Sequence, residues 1–98
     1  MPVKKNTNNN VFDITFIGTD QIGILAKISS LLADQHINII NVSQTSLHKT
    51  FRMMLLVDIS TADKEITLEG LLEQLQSICE EMNLDISIKA VKKNIITQ

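Results

Sequence analysis

The stretch Ile17-Gly-Thr-Asp-Gln-Ile-Gly-Ile-Leu25 holds the residue types best suited to chemistry. It lies between an alternating segment (Phe12, Ile14, Phe16) and apolar residues at helical spacing (Ile24, Ile28, Leu31, Leu32). A strand therefore runs through a short loop into a helix. The first N–H groups of a helix have no partner within it, and the helix dipole adds positive potential there, so such a start suits an anion. Asp20 is placed to cap the helix with its carboxylate. Gly23 then falls at the third helical position, where the missing side chain opens the backbone to a ligand. On this reading Gly23→Val harms binding more than folding, because helix propensity alone costs roughly 0.5 kcal/mol. Gly18 and Gly23 would equally serve a bare tight turn that lets helix and strand pack.

Composition removes several function classes. The 98 residues are enough for one domain with one core. The net charge of −2 comes without a basic cluster, which argues against nucleic acid and anionic membrane as partners. Apolar runs are only a few residues long, and the segment Met-Pro-Val-Lys-Lys-Asn lacks a signal-peptide core, so a cytoplasmic location is expected. Cys79 is the single cysteine, which rules out an internal disulfide and any cysteine metal cluster. No metal or other cofactor is expected.

The elements that must position the loop follow from periodicity. Residues 1–10 are polar and read as a disordered tail. A strand over 11–17 puts Phe12, Ile14 and Phe16 on one face, and the first helix runs from about Gln21 to Gln35. His36 reads as a turn or cap residue at its end. A second strand over 37–47 has apolar residues in both phases, which a bulge near Ile39–Ile40 reconciles; its polar second half suits a sheet edge. His48-Lys49-Thr50 lacks an Asn-Gly type signal, so a loop of three or four residues is expected. The third strand, 51–59, is the most apolar and reads as central. Thr67 caps a second helix with the stripe Leu68, Leu71, Leu72, Leu75, Ile78, Cys79 and Met82, and Asn83 ends it in the left-handed conformation. Cys79 is thus a buried apolar residue rather than a reactive thiol. A last strand over 84–90 turns Leu84, Ile86, Ile88 and Ala90 inward, and 92–98 form a C-terminal tail.

This order, βαββαβ with right-handed crossovers, predicts an α+β ferredoxin-like domain over 11–91. Its four-stranded antiparallel sheet has the order 4-1-3-2, with two helices on one face. Met54, Leu56 and Ile17 fall on the opposite face, where a partner chain is the simplest cover, so a homodimer or larger oligomer through the sheet is expected.

Asp20-Gln21-Ile22-Gly23-Ile24-Leu25, followed by Gln35-His36-Ile37-Asn38-Ile39, resembles the ACT domain family. That pattern is an Asp-x-x-Gly turn opening the first helix and an Asn-Ile pair opening the second strand. Val42-Ser43-Gln44-Thr45 and the methionine-rich strand after it look closest to stand-alone single-domain members, similar to the ACT modules of the glycine cleavage system repressor. The resemblance implies a regulatory, non-enzymatic module. It implies an amino acid or similar small molecule bound where two copies meet, and a separate regulated protein partner. Carried over by position, the ligand residues are Asp20, Gln21, Ile22, Gly23, Ile24 and Asn38. A zwitterion would place its carboxylate on the N–H groups of Ile22 to Ile24 and its ammonium on Asp20 or Asn38. Ile22 stands where many members carry proline.

Other uses of this topology lack their residues. An acylphosphatase needs an arginine in the first loop, and the single arginine, Arg52, is on the third strand. An RNA-binding sheet needs stacking aromatics, whereas strand three has Phe51 beside Met53, Met54 and Leu55. A metallochaperone needs a Cys-x-x-Cys loop. The alternative that stands is an interaction or dimerisation module with no small-molecule ligand.

Overall fold

The structure, a computed structural model, describes residues 10–19 and 21–91. The elements are β1 (Val11–Thr19), α1 (Ile24–Asp34), β2 (Asn38–Leu47), β3 (Thr50–Asp58), a 3₁₀ turn (Ile59–Thr61), α2 (Leu68–Met82) and β4 (Leu84–Ala90). All strand pairs are antiparallel, in the order β2-β3-β1-β4, which is the expected sheet read from its other edge. The tails expected at 1–10 and 92–98 lie outside the described residues, apart from Asn10. Its carbonyl accepts the Ile59 N–H at 2.8 Å. At the same end of the sheet the Val91 N–H donates to the Val11 carbonyl at 2.8 Å. Among the described residues no helix is long and apolar enough to cross a membrane.

Alternation decides which face of the sheet is buried. Phe12, Ile14 and Phe16 of β1 and Phe51, Met53, Leu55 and Val57 of β3 are buried against Ile24, Ile28 and Leu32 of α1 and Leu71, Leu75 and Cys79 of α2. On β4, an edge strand, Leu84 is buried, Ile86 and Ile88 are half-buried against the core, and Ala90, expected inward, is exposed. The odd residues of β1 and the even residues of β3 form the uncovered face.

The helix ends explain their own stops. Thr67 Oγ1 accepts the Gly70 N–H at 3.0 Å, and Asn83 closes α2 at φ 57°, ψ 47°. After α1, His36 takes φ 60°, its N–H donates to the Ala33 carbonyl, and the Ile37 N–H donates to the Leu32 carbonyl. This is a Schellman closure, with buried Ile37 and Leu32 as its apolar contact. His36 Nδ1 also lies 2.6 Å from Asp63 Oδ2, and the His36 carbonyl accepts the Thr61 hydroxyl at 2.7 Å. The residue is a turn element, as its place in the sequence implied.

Several boundaries differ from the expectation. The register between β2 and β3 slips at Ile39/Asn41, so Ile40 is bulged out where the two-phase apolar pattern required it. The β2–β3 connection, however, is a two-residue turn, His48-Lys49, with Leu47 paired to Thr50. His48 supplies the positive φ (60°) that a short turn needs and that asparagine or glycine more often provides. β3 ends at Asp58, whose carboxylate accepts the Ser60 N–H at 2.9 Å and turns Ile59 into the 3₁₀ segment.

Candidate functional site

The β1–α1 loop is built differently from the sequence expectation. α1 begins at Ile24, and its N-cap is Gly23, not Asp20. Gly23 therefore precedes the helix instead of occupying its third position. The first intrahelical bond is from the Lys27 N–H to the Gly23 carbonyl, at 3.0 Å. The N–H groups without an intrahelical partner are then those of Ile24, Leu25 and Ala26, shifted along the chain from the expected set. Asp20 lies outside the described residues.

Gly23 holds φ 91°, ψ 4°, a backbone state that side chains disfavour by roughly 1–2 kcal/mol. A Cβ built there meets nothing within 4 Å. The glycine thus serves the turn and also leaves the space above the helix start open. Valine would strain the backbone as well as fill that space, so Gly23→Val does not separate folding from binding as the sequence reading supposed. Gly23→Ala is cleaner. It should cost about 1 kcal/mol in a chemical denaturation series, with the transition slope unchanged; a loss of more than about 3 kcal/mol would mean that the site is packed rather than open.

The other loop residues have distinct surroundings. Gln21 Nε2 donates to the Met82 carbonyl at 2.6 Å and to the Thr19 carbonyl at 3.3 Å, tying the loop to the end of α2. Its amide nitrogen is therefore an anchor, and only its oxygen faces other uses. Ile22 is 98% exposed, an unusual position for a large apolar side chain. The Ile24 side chain is in the core at 2% exposure, so only its backbone can meet a ligand.

Gly18 is not a turn residue. It sits within β1 opposite Phe51 and Leu84, and a Cβ there would lie 2.8 Å from the Asn83 carbonyl oxygen and 2.7 Å from Leu84 Cδ2. Its role is close approach between β1 and the α2–β4 corner.

Asn38 opens β2 and is exposed. It pairs with Asp58, which pairs with Val11, whereas the loop follows Thr19. A nine-residue strand spans about 27 Å at its rise per residue. One chain therefore keeps Asn38 and the β1–α1 loop at opposite ends of the sheet. The structure brings Gln21, Ile22, Gly23 and Ile24 together and leaves Asn38 apart from them.

Two features were not singled out beforehand. Leu47 projects with 71% exposure from the half of β2 read as polar, joining Ile40 (48%) and Val42 (39%) of the strand's second apolar phase. A hollow of about 480 Å³ also lies between the end of α1, the segment before α2 and Gln74, lined by Asp34, Gln35, Asp63, Glu65 and Ile66 among others. None of the loop candidates line it. Among the described residues no cluster of three or more His, Cys, Asp or Glu side chains is arranged to hold a metal. Cys79 is 2% exposed, and burial first, then the charge of Asp85, push its thiol up from 9.0 to about 11.

Comparison with known proteins places this topology. The sequence profile of the ACT domain matches residues 11–89. The chain belongs to the ACT domain family. This ACT domain is 43% identical over 76 residues to a UPF0237 protein of Methanopyrus kandleri, covering 78% of this chain and 82% of that protein. Among solved structures, an ACT domain protein from Streptococcus pneumoniae superposes with a TM-score of 0.71 at 30% identity, covering 85% of this chain and 91% of that one. A candidate glycine cleavage system transcriptional repressor shares the fold with a TM-score of 0.73 at 17% identity, over 95% of this chain and 53% of its own.

Proposed function

We propose that this ACT domain is a cytoplasmic regulatory module and not an enzyme. It binds a small ligand, an α-amino acid, between two copies, and it modulates a separate metabolic protein. The observation that carries the reading is the separation of Asn38 from the β1–α1 loop within one chain. Each is exposed, and each is useful to a zwitterion only if a second copy supplies the other. β2 is a sheet edge, and its residues 41–47 are all exposed. Antiparallel pairing of two such edges reverses the strand direction. It would carry Asn38 of a second copy toward the end of the sheet where the loop opens. The carboxylate would then meet the N–H groups of Ile24, Leu25 and Ala26, where the helix dipole favours negative charge. The ammonium would meet Asp20 or the amide oxygen of Asn38, which offers an acceptor as well as donors.

The open space over Gly23 admits the ligand backbone, and Ile22 can lie over its apolar part. The exposed Ile40, Val42 and Leu47 favour a second reading, in which the β2 edge serves dimerisation alone and no small molecule binds.

A thermal-shift screen of the free amino acids, followed by calorimetric titration, separates the two. The ligand reading expects one or a few amino acids to saturate. It also expects Asn38→Ala to weaken binding about tenfold, or roughly 1.4 kcal/mol. Absence of binding up to about 10 mM would leave the interaction module as the correct description.

A further inference from the structure

We infer that Gln21 is the residue that reads the amine of the ligand, because the fold holds its side-chain amide with the oxygen left free. The inference rests on the proposed reading and assigns a specificity-determining contact within it. α2 ends at Met82, and the N–H of its cap, Asn83, closes back onto the Cys79 and Glu80 carbonyls. The Met82 carbonyl is among the last four of the helix, which have no donor inside it. Gln21 Nε2 supplies that donor at 2.6 Å and also reaches the Thr19 carbonyl at 3.3 Å. A side-chain amide nitrogen carries two hydrogens, and its oxygen carries none. Both partners are carbonyls, so only the nitrogen can face them. The flipped amide would set oxygen against oxygen and leave the Met82 carbonyl without its donor. Both hydrogens are thus engaged, while Oε1 has no partner among the described residues and the residue is exposed.

An acceptor fixed in this way selects a donor. A carboxylate or an apolar group gains nothing from it, whereas an ammonium brings three N–H donors and a charge that strengthens the bond. The position suits an α-amino acid. Gln21 is three residues from Ile24, at most about 11 Å along an extended chain, and the turn at Gly23 shortens the path. Two hydrogen bonds of about 2.8 Å and the short distance from amine to carboxylate fit within that length. One molecule can therefore rest its carboxylate on the N–H groups of Ile24 to Ala26 and an ammonium hydrogen on Gln21 Oε1. The other ammonium hydrogens are left for Asp20 or Asn38. Lys27 on the first turn of α1 and Glu81 beside Met82 pair with each other at 3.5 Å. The ligand class is thus a carboxylic acid with a free α-amine. A plain carboxylic acid of the same shape would leave Oε1 unpaired, which is the kind of mismatch that polar sites reject.

The test is calorimetric titration of the full chain with each L-amino acid beside the same molecule carrying hydrogen in place of the amine, such as propanoate for alanine and 4-methylpentanoate for leucine. The wild type should bind an amino acid at least tenfold more tightly than its paired acid. Gln21→Lys keeps a donor for the Met82 carbonyl but removes the acceptor, and should lower that preference at least fivefold. Gln21→Met has neither donor nor acceptor. It should lower the preference in the same way and weaken both probes besides. A residue that only positioned the loop would weaken both probes equally and leave their ratio unchanged. Thermal melts check that the variants are folded, and either variant alone suffices. A wild type that binds both members of a pair alike overturns this inference and leaves the ligand site standing, as does a ratio unchanged in the folded variants. Absence of binding by every amino acid overturns the ligand reading and this inference together.

Discussion

Gly18→Val should lower stability by about 3 kcal/mol, the upper range for overfilling a packed position. The added Cβ would stand 2.8 Å from the Asn83 carbonyl oxygen, a backbone atom held by the left-handed turn that ends α2. Leu84 Cδ2, at 2.7 Å, can swing aside; the carbonyl cannot move without dragging β4 from its register with β1. For a domain of this size each kcal/mol shifts the melting temperature by roughly 4–8 °C, so a thermal melt should fall by about 12–24 °C. A melt within a few degrees of the wild type would mean that β1 and the α2–β4 corner are not in close contact. The comparison with Gly23→Ala is instructive, since there the cost comes from backbone conformation and no neighbour is displaced.

The second large effect is a dependence of stability on alkaline pH centred on Cys79. In the unfolded chain its thiol ionises at about 9.0, and in the folded domain at about 11. Below pH 9 both states keep the proton and the residue contributes no slope. Between pH 9 and 11 the unfolded state loses its proton first, so stability falls as pH rises. Two units correspond to about 3 kcal/mol once the pH passes the folded value. Lysines titrate in the same window, so the quantity to measure is the difference between wild type and Cys79→Ala across denaturation series from pH 7 to 11. The alanine variant should start slightly less stable, having lost a buried sulfur, and should then lose less as pH rises. Parallel curves would mean that the thiolate is not penalised by its surroundings. The same burial predicts that alkylating reagents modify Cys79 only as fast as the domain opens.

Much of this architecture was legible because each element repeats one simple signal. Phe12, Ile14 and Phe16 alternate, so they mark a strand with one dry face, and the leucine stripe of α2 marks a helix lying on it. Even the bulge could be read, because Ile39 and Ile40 cannot both point inward from a regular strand. Thr67 and Asn83 announced the ends of α2 through their side chains and conformational preferences. The start of α1 was less legible. Asp20 and Gly23 each make plausible helix starts, and what separates them is the backbone state of Gly23, a property of the folded turn. Gly18 was misread for a similar reason. Its neighbour across the sheet, the Asn83–Leu84 corner, is sixty-odd residues away in sequence, and no local pattern reports that contact. The hairpin turn at His48-Lys49 was read one or two residues too long because histidine is an uncommon donor of positive φ. The distance between Asn38 and the loop follows from the sheet register, which the order of elements implied but did not measure.

The hydrogen bond between Val91 and Val11 closes the domain into a loop with a single gateway, since both chain ends leave it side by side next to β1. A unit with that property can be spliced into the surface turn of an unrelated host, or joined in tandem by a few residues, without stretching either partner. It also tolerates rewiring. Linking the two ends and opening the chain at His48-Lys49 should yield a permuted protein with the same sheet. Adjoining ends make such a domain a portable plug.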